Sequence, residues 1–425
     1  MIEKVVKDGL CTNCGTCISI CPFRAISIRK SEVGFQIEID KKKCKECGLC
    51  LQVCPGIGVN FNQLNKKIFE KDLELNFSSY LGYFRDCFLG YSKNEKIRHL
   101  CSSGGIVTSL LVYLLRKKIV DGVLVTGMEP RNPLIAKPFI AYTEQEIFES
   151  RGSKYTPVVL NQCLREIIES KKKKFAVVGL SCHIQSIRKW QRIYPSLKNK
   201  IKYILGLFCG QEINFLGTEL ILKLLNVSPK ETKKIDYRGE GWPGEIKVYK
   251  RNGEIIKRPF PDIFKIFNLG FFTPMRCFLC TDFTNELADI SFGDAWIPNL
   301  IKKGRGFNFV ISRTQAGADL LKEAREYIYL KKIKPDLIFE TDKIRFKTKK
   351  DSYKIIKGIR IISKRKIPEY TPEPKLKIGL IPAFYILFYL NSLIANKYPK
   401  FFIKIPKCFW NFEISLMNKI KQLLT

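Results

Sequence analysis

Apolar positions along the chain follow two periodicities. Around a Val-Gly pair, AISIRK and FQIEID alternate apolar and polar residues and predict a short hairpin over 25–30 and 35–40. From residue 99 the pattern changes. HLCSSGGIVTSLLVYLLRKKIVDGVLVTGM predicts a Ser-Gly-Gly turn, an apolar helix from Ile106 to Leu115 with a basic end, and a β-rich run from Ile119 to Thr126. NQCLREIIESKKKK continues as helix, KFAVVGL as a buried strand and SCHIQSIRKW as a second helix; IKYILGLFCG is a further strand, trailed by helical INFLGTELILKLL. Strands alternating with helices predict an α/β fold (α+β overall) with a mostly parallel sheet, whose ligands gather beyond the carboxyl ends of its strands.

A length of 425 residues suffices for two or three packed units. The boundaries read from the pattern are 1–70 for a small N-terminal unit, 71–345 for the α/β body and 346–425 for a C-terminal extension. This extension opens on the basic run FKTKKDSYKIIKGIRIISKRK and contains nineteen uncharged residues, Ile378 to Asn396, flanked by lysines. Pro382, Asn391 and Ser392 weaken the case for a membrane span. The expectation is a helix that packs on the body or lies at a membrane surface with its lysines toward anionic headgroups.

Charge and cysteine content add the chemistry. Lys+Arg number 74 against 40 Asp+Glu, a formal net charge of +34, which favours anionic partners, whether polyanions, acidic proteins or anionic lipid. No helix-turn-helix, zinc-finger or RNP-like pattern accompanies the charge, so no nucleic-acid partner is expected, and runs such as Lys171 to Lys174 read as solvated faces. MIEKVVKDGLC lacks the apolar run of a secretory signal, which predicts a cytoplasmic chain, peripheral at most at the inner face of a membrane. Its 16 cysteines are then expected to be reduced thiols serving metals or catalysis rather than disulfides.

Eight of them form a repeat. CTNCGTCISICP and CKECGLCLQVCP both read C-x2-C-x2-C-x3-C-P, the spacing of bacterial-type ferredoxins, in which the fourth cysteine of each run serves the other cluster. Cys11, Cys14, Cys17 and Cys54 are thus assigned to one [4Fe-4S] cluster, and Cys44, Cys47, Cys50 and Cys21 to a second. Residues 1–70 are expected to be a small bacterial-ferredoxin-like unit. A second set is dispersed: Cys182 follows one predicted strand, Cys209 ends another, and Cys277 and Cys280 form a C-x2-C in RCFLCTDF. If the strands are parallel, these thiols share one pole of the sheet, where four thiolates would suit a third [4Fe-4S] cluster or a structural zinc; Cys182 and Cys209 read equally well as small core residues. Cys87, Cys101, Cys163 and Cys408 have no evident partners and read as packing residues.

At this point the motifs carry a resemblance. SSGGIVTSLLVYLL, VDGVLV, RGSKYTPV, FAVVGLSCHIQSIRK, ILGLFCG, GWPG, RCFLCTDF and ELADISFGDAW occur in the order seen in the coenzyme F420-reducing hydrogenase/dehydrogenase beta-subunit family, from about His99 to about Thr314. The resemblance implies an iron–sulfur flavoprotein with FAD and one [4Fe-4S] cluster in the larger unit, the latter on Cys182, Cys209, Cys277 and Cys280, giving three clusters in all. It further implies coenzyme F420 as substrate and a redox partner protein or subunit, such as a ferredoxin, as the one-electron acceptor.

Within that frame, Ser103, Gly104, Gly105 and Thr108 are candidate FAD contacts. A Ser-Gly-Gly turn at a helix start can also receive a pyrophosphate on purely physical grounds, although it serves as often as a plain N-cap. Gly152, Lys154 and Tyr155 of RGSKYT are candidate flavin or anion contacts, and Asp294 a candidate hydrogen-bond partner. No catalytic residue is assigned. His183 reads as either an acid/base group or a hydrogen-bonded neighbour of the cluster, and His99 as structural. Two other activities fit the same motifs: an oxidoreductase acting on a substrate linked to polysaccharide synthesis, and a non-catalytic electron-transfer subunit.

Overall fold

The computed structural model describes residues 2–70, 74–267, 269–375, 380–407, 409–410, 413 and 415. Its centre is an eight-stranded sheet of β1 (Asp86–Ser92), β2 (Gly122–Glu129), β3 (Asn132–Ala141), β4 (Phe175–Gly179), β5 (Ile201–Leu207), β6 (Ile290–Asp294), β7 (Asn308–Ser312) and β8 (Ile328–Lys332). Across the sheet they run β8-β1-β7-β6-β5-β4-β2-β3. The four inner strands β6, β5, β4 and β2 are parallel. The outer ladders are antiparallel.

The expected α/β fold is therefore present, with a sheet that is mixed rather than mostly parallel. The cause is local. Only two residues join β2 to β3, too few for the crossover that parallel pairing needs, and β1 and β3 were not anticipated as strands. The predicted elements between them appear close to their expected bounds. Helix α1 (Ile106–Arg116) precedes β2, α2 (Ser181–Ile193) follows β4, and α3 (Phe215–Leu224) follows β5.

At the N-terminus, Ile26–Lys30 pairs antiparallel with Phe35–Ile39 as the alternation predicts. This unit is bound closely to the body. The Asn161 amide donates to Thr16 Oγ1 at 2.8 Å, and its backbone N–H donates to the Cys14 carbonyl at 2.8 Å. Lys189 on α2 donates to the carbonyl oxygens of Cys54 at 2.6 Å and Gly58 at 3.1 Å.

The C-terminal segment closes the assembly. Glu369–Thr371 adds a parallel strand to Gly58–Asn60. Helices α4 (Lys343–Lys350) and α5 (Leu380–Lys397) pack on each other, and one face of α5 lies on the body: Tyr385 and Tyr389 meet the Phe278 ring at centroid distances of 5.1 and 5.6 Å. Asn391 and Ser392, which argued against a span, donate to the carbonyls of Leu269 and Thr273. Among the described residues no helix is long and apolar enough to cross a membrane. One apolar cluster joins Val5 and Ile20 of the N-terminal unit, Ile184 and Ile204 of the body, and Tyr353 and Tyr389 of the extension.

The segment Thr281–Asp289, immediately after the C-x2-C pair, is buried throughout although most of its side chains are polar. Asn285 donates to the carbonyl of Gly179 at the end of β4. Asp282 accepts from Gln185 of α2, and Ser181 donates to the Asp282 carbonyl. Arg313, fully buried, donates to Ser291 Oγ, to the carbonyls of Leu81 and Tyr83, and to both oxygens of Thr284. Replacing it leaves several acceptors buried without a donor. We expect Arg313→Met to lower unfolding free energy by about 3 kcal/mol, read from denaturant midpoints. A change below about 0.5 kcal/mol, the range of an ordinary surface substitution, would show that this anchor is dispensable.

Candidate functional site

Parallel strands end at one pole, and there the chain leaves a cavity of about 880 Å³. Leu180 and His183 reach it from the β4–α2 junction, Leu207 to Ile213 from the end of β5, Asp294 from the end of β6, and Ser102, Ser103 and Gly105 to Thr108 from the approach to α1 and its first turn. Residues 343–349 of α4, with Tyr385 and Phe388 of α5, complete the wall. The C-terminal extension is thus part of the site.

The dispersed thiols meet beside this cavity. Cys182 lies in the first turn of α2, Cys209 two residues past β5, and Cys277 and Cys280 in and just after the single turn Met275–Leu279. Each is half-buried. Burial, then the charges of Cys209, Cys14, Glu212 and Cys280, push the Cys182 thiol well up. Burial raises Cys209 too, opposed by Lys349 and reinforced by Cys277 and Cys280. Cys277 is pushed up to about 11, by burial first. Cys209 and Cys280 thus lie within electrostatic reach of Cys182, and Cys277 within reach of Cys209 and Cys280.

Four N-terminal thiols, Cys11, Cys17, Cys50 and Cys54, are also raised. Burial, then the Cys54 and Cys14 charges, push Cys11 up to about 12, against a backbone hydrogen bond from Asn13; burial and Cys14 push Cys54 up to about 11. Cys17, raised chiefly by burial, feels Cys14, Cys11 and Cys54 and also Cys50; Cys50, raised by burial, feels Cys47 and Cys21. Two couplings connect the groups: Cys17 with Cys50, and Cys14 with Cys182. Cys47 is exposed, at the end of the N-terminal unit away from the coupled Cys14 and Cys182.

Enclosed thiols that repel one another when ionised call for positive charge among them, which a metal centre supplies. Among the described residues no three metal-capable side chains converge for direct coordination of one ion. A cube takes one thiolate per iron, so its sulfurs stand wider apart than around a single ion, where bonds of about 2.3 Å draw them together. The donors expected from spacing and resemblance are all sulfur, four to a group, which fits [4Fe-4S] chemistry.

Three cations, Arg276 and Lys349 buried and Lys189 half-buried, lie among these thiols. Arg276 donates to the Pro55 carbonyl and the Tyr370 hydroxyl, both at 2.8 Å. Lys189 touches the Cys54 carbonyl. Lys349 donates to the Cys277 carbonyl at 3.1 Å. Burial alone would depress the Lys349 pKa, but the charges of Cys280, Tyr385, Cys277 and Cys209 outweigh it and raise it.

The candidate FAD residues line the cavity, except that Gly104 stands behind it. A Cβ on Gly104 would approach Asn308 Oδ1 to 2.7 Å and the Gly90 carbonyl to 2.9 Å, so sheet packing already requires glycine there. Gly105 takes φ 77° and opens α1. Ser103 donates to the Phe307 carbonyl at 2.7 Å, and Thr108 pairs with Cys101. Gly152 also lines the wall, whereas Lys154 is turned into the carbonyls of Ser150, Arg151 and Gly152. Burial lowers its pKa to about 7. Tyr155 packs against Phe260 and Phe267.

His183 is neutral, its pKa lowered to about 4 by burial. Its Nδ1 accepts from the Leu180 N–H, and its Nε2 faces the Val158 carbonyl at 3.3 Å, so both nitrogens hold backbone rather than substrate. His99 is exposed. Cys87 and Cys101 are buried and Cys163 half-buried; Cys408 lies outside the described residues.

Sequence reading missed Arg238, Glu212 and Lys349. Arg238 is boxed by Trp242, Phe260 and Trp296 and bonded to Asp294 at 2.6 Å, while its Nη2 has no hydrogen-bond partner among the described residues. Such an orphaned buried donor in a cavity wall suits an anionic ligand. Glu212 is pushed up to about 8 by burial and lies beside Cys277.

Comparison with known proteins identifies the family and the N-terminal domain. Residues 10–56 match a 4Fe-4S dicluster domain, 87–165 the N-terminal part of the coenzyme F420 hydrogenase/dehydrogenase beta subunit, and 172–336 its C-terminal part. The coenzyme F420 hydrogenase subunit beta of Methanosarcina barkeri is 30% identical over 252 residues, covering 58% of this chain and 80% of that one. The coenzyme F420-dependent sulfite reductase of Methanocaldococcus jannaschii is 28% identical over 348 residues, 78% of this chain and 49% of that protein. Among solved structures, a chain from the F420-reducing [NiFe] hydrogenase complex of M. barkeri superposes with a TM-score of 0.55 at 26% identity, covering 69% of this chain and 98% of its own. The chain thus belongs to the coenzyme F420 hydrogenase/dehydrogenase beta-subunit family and carries a 4Fe-4S dicluster domain ahead of the family body.

Proposed function

We propose that this chain is an iron–sulfur flavoprotein that exchanges electrons between coenzyme F420 and a one-electron acceptor, with FAD in the 880 Å³ cavity and three [4Fe-4S] clusters. The observation that carries the proposal is the bond from Arg276, next to Cys277, to the carbonyl of Pro55, next to Cys54, at 2.8 Å, which supports a close approach of the N-terminal thiols to the set beside the cavity. The names of the relatives, coenzyme F420 hydrogenase subunit beta and coenzyme F420-dependent sulfite reductase, support the choice of coenzyme. When bound, a flavin accepts two electrons together and releases them singly, which is the conversion that separates a hydride carrier from iron–sulfur clusters.

The chain's own residues supply the setting. Cys182, Cys209, Cys277 and Cys280 would hold the inner cluster; Cys11, Cys14, Cys17 and Cys54 the middle one; and Cys21, Cys44, Cys47 and Cys50 the outer one. Cys47 is exposed, which supports an exit to a partner protein at that end. Arg238, with its free Nη2, would orient an anionic group of the bound nucleotide, and the aromatic box keeps water from its charge.

Anaerobically purified protein should contain about twelve irons and one FAD, and the Cys277→Ala/Cys280→Ala double variant about eight irons. Eight irons in both would reject the inner cluster. Stopped-flow addition of reduced coenzyme F420 should bleach the flavin, and an unreactive flavin would point to another two-electron donor. Arg238→Lys should keep full iron content while losing FAD on gel filtration at least tenfold faster than wild type, and unchanged retention would remove Arg238 from the nucleotide site.

A further inference from the structure

We infer that Lys349, contributed by the C-terminal extension, is a positioning residue that raises the reduction potential of the inner cluster by placing a fixed positive charge against its thiolates. The inference rests on the inner-cluster reading above. Lys349 is only 3% exposed, and its ammonium donates to the Cys277 carbonyl at 3.1 Å, on the backbone of a proposed ligand. Its charge acts on Cys209, Cys277 and Cys280 alike. The residue lies on α4, beyond the matched span that ends at residue 336.

Two features hold it there. Helix α4 packs on α5, and Tyr385 of α5 stands close enough to share the field of the Lys349 ammonium. Among the described residues, Arg276 is the other cation raised by these thiols' charges, and its Nη2 donates to the Pro55 carbonyl and the Tyr370 hydroxyl on the side of the N-terminal unit. Reducing a cluster adds negative charge, so a buried cation stabilises the reduced form more than the oxidised form. Burial and neighbouring charge are among the factors by which proteins set cluster potentials.

The test is an EPR-monitored redox titration of the anaerobically purified full chain. Lys349→Met and Lys349→Gln should move the midpoint of one cluster to a more negative value, by about tenfold in reduced-to-oxidised ratio, or about 59 mV for one electron. The other two clusters should match the exposed-lysine control Lys331→Met, and Lys349→Arg should stay near wild type. Loss of the inner cluster in Met and Gln but not in Arg would equally support a need for charge. Three intact clusters at wild-type potentials in Met and Gln would overturn the inference, as would loss of the cluster in all three variants, which marks a role in shape. A wild-type chain with only two clusters would fail the proposed function itself.

Discussion

The site depends on the burial of the polar stretch Thr281–Asp289. It contains Thr281, Asp282, Thr284, Asn285, Glu286 and Asp289, all withdrawn from water, and it survives there because each main connection ends on a specific partner. Asn285 binds the end of β4, Asp282 binds α2, and Asp289 accepts from Arg188 at 2.8 Å and from the Ile204 N–H at 2.7 Å. The stretch starts one residue after Cys280. Fastening it to the ends of β4 and β5 fixes the C-x2-C pair opposite Cys182 and Cys209, which leave those same two strands.

That gathering creates an electrostatic problem that the surrounding residues address. Two unit charges about 6 Å apart repel by roughly 3 kcal/mol at an effective dielectric of about 20. Iron bound by these groups would offset the charge of their thiolates, and the buried Arg276 and Lys349 and the half-buried Lys189 would add further compensation. Arg276 and Lys189 both reach the chain at Cys54–Gly58, so the cations also bind the N-terminal unit to the body. The proposed relay and the mechanical joint between the units use the same residues.

Legibility followed sequence distance. The two C-x2-C-x2-C-x3-C-P runs are local, and residues 10–56 match a 4Fe-4S dicluster domain as the spacing suggests. Helices α1 and α2 and strands β4 and β5 were readable from periodicity, which placed Cys182 and Cys209 at one pole. The proportion of parallel pairing was overdrawn because Asp86–Ser92 lies where a linker gives way to the body, and Asn132–Ala141 is interrupted by Pro133 and Pro138. Lys349 was hidden in the run FKTKK, where composition says solvated face. Only the packing of α4 under α5 turns that lysine inward. Arg238 was equally invisible, since the rings that box it come from three separate segments.

Direct location of iron tests the central claim most directly. An anomalous difference map from crystals grown without oxygen, measured at the iron absorption edge, should show three separate four-iron densities, the innermost bonded to Cys182, Cys209, Cys277 and Cys280. Two densities confined to the N-terminal unit, with Cys209 turned away from Cys277 and Cys280, would contradict it.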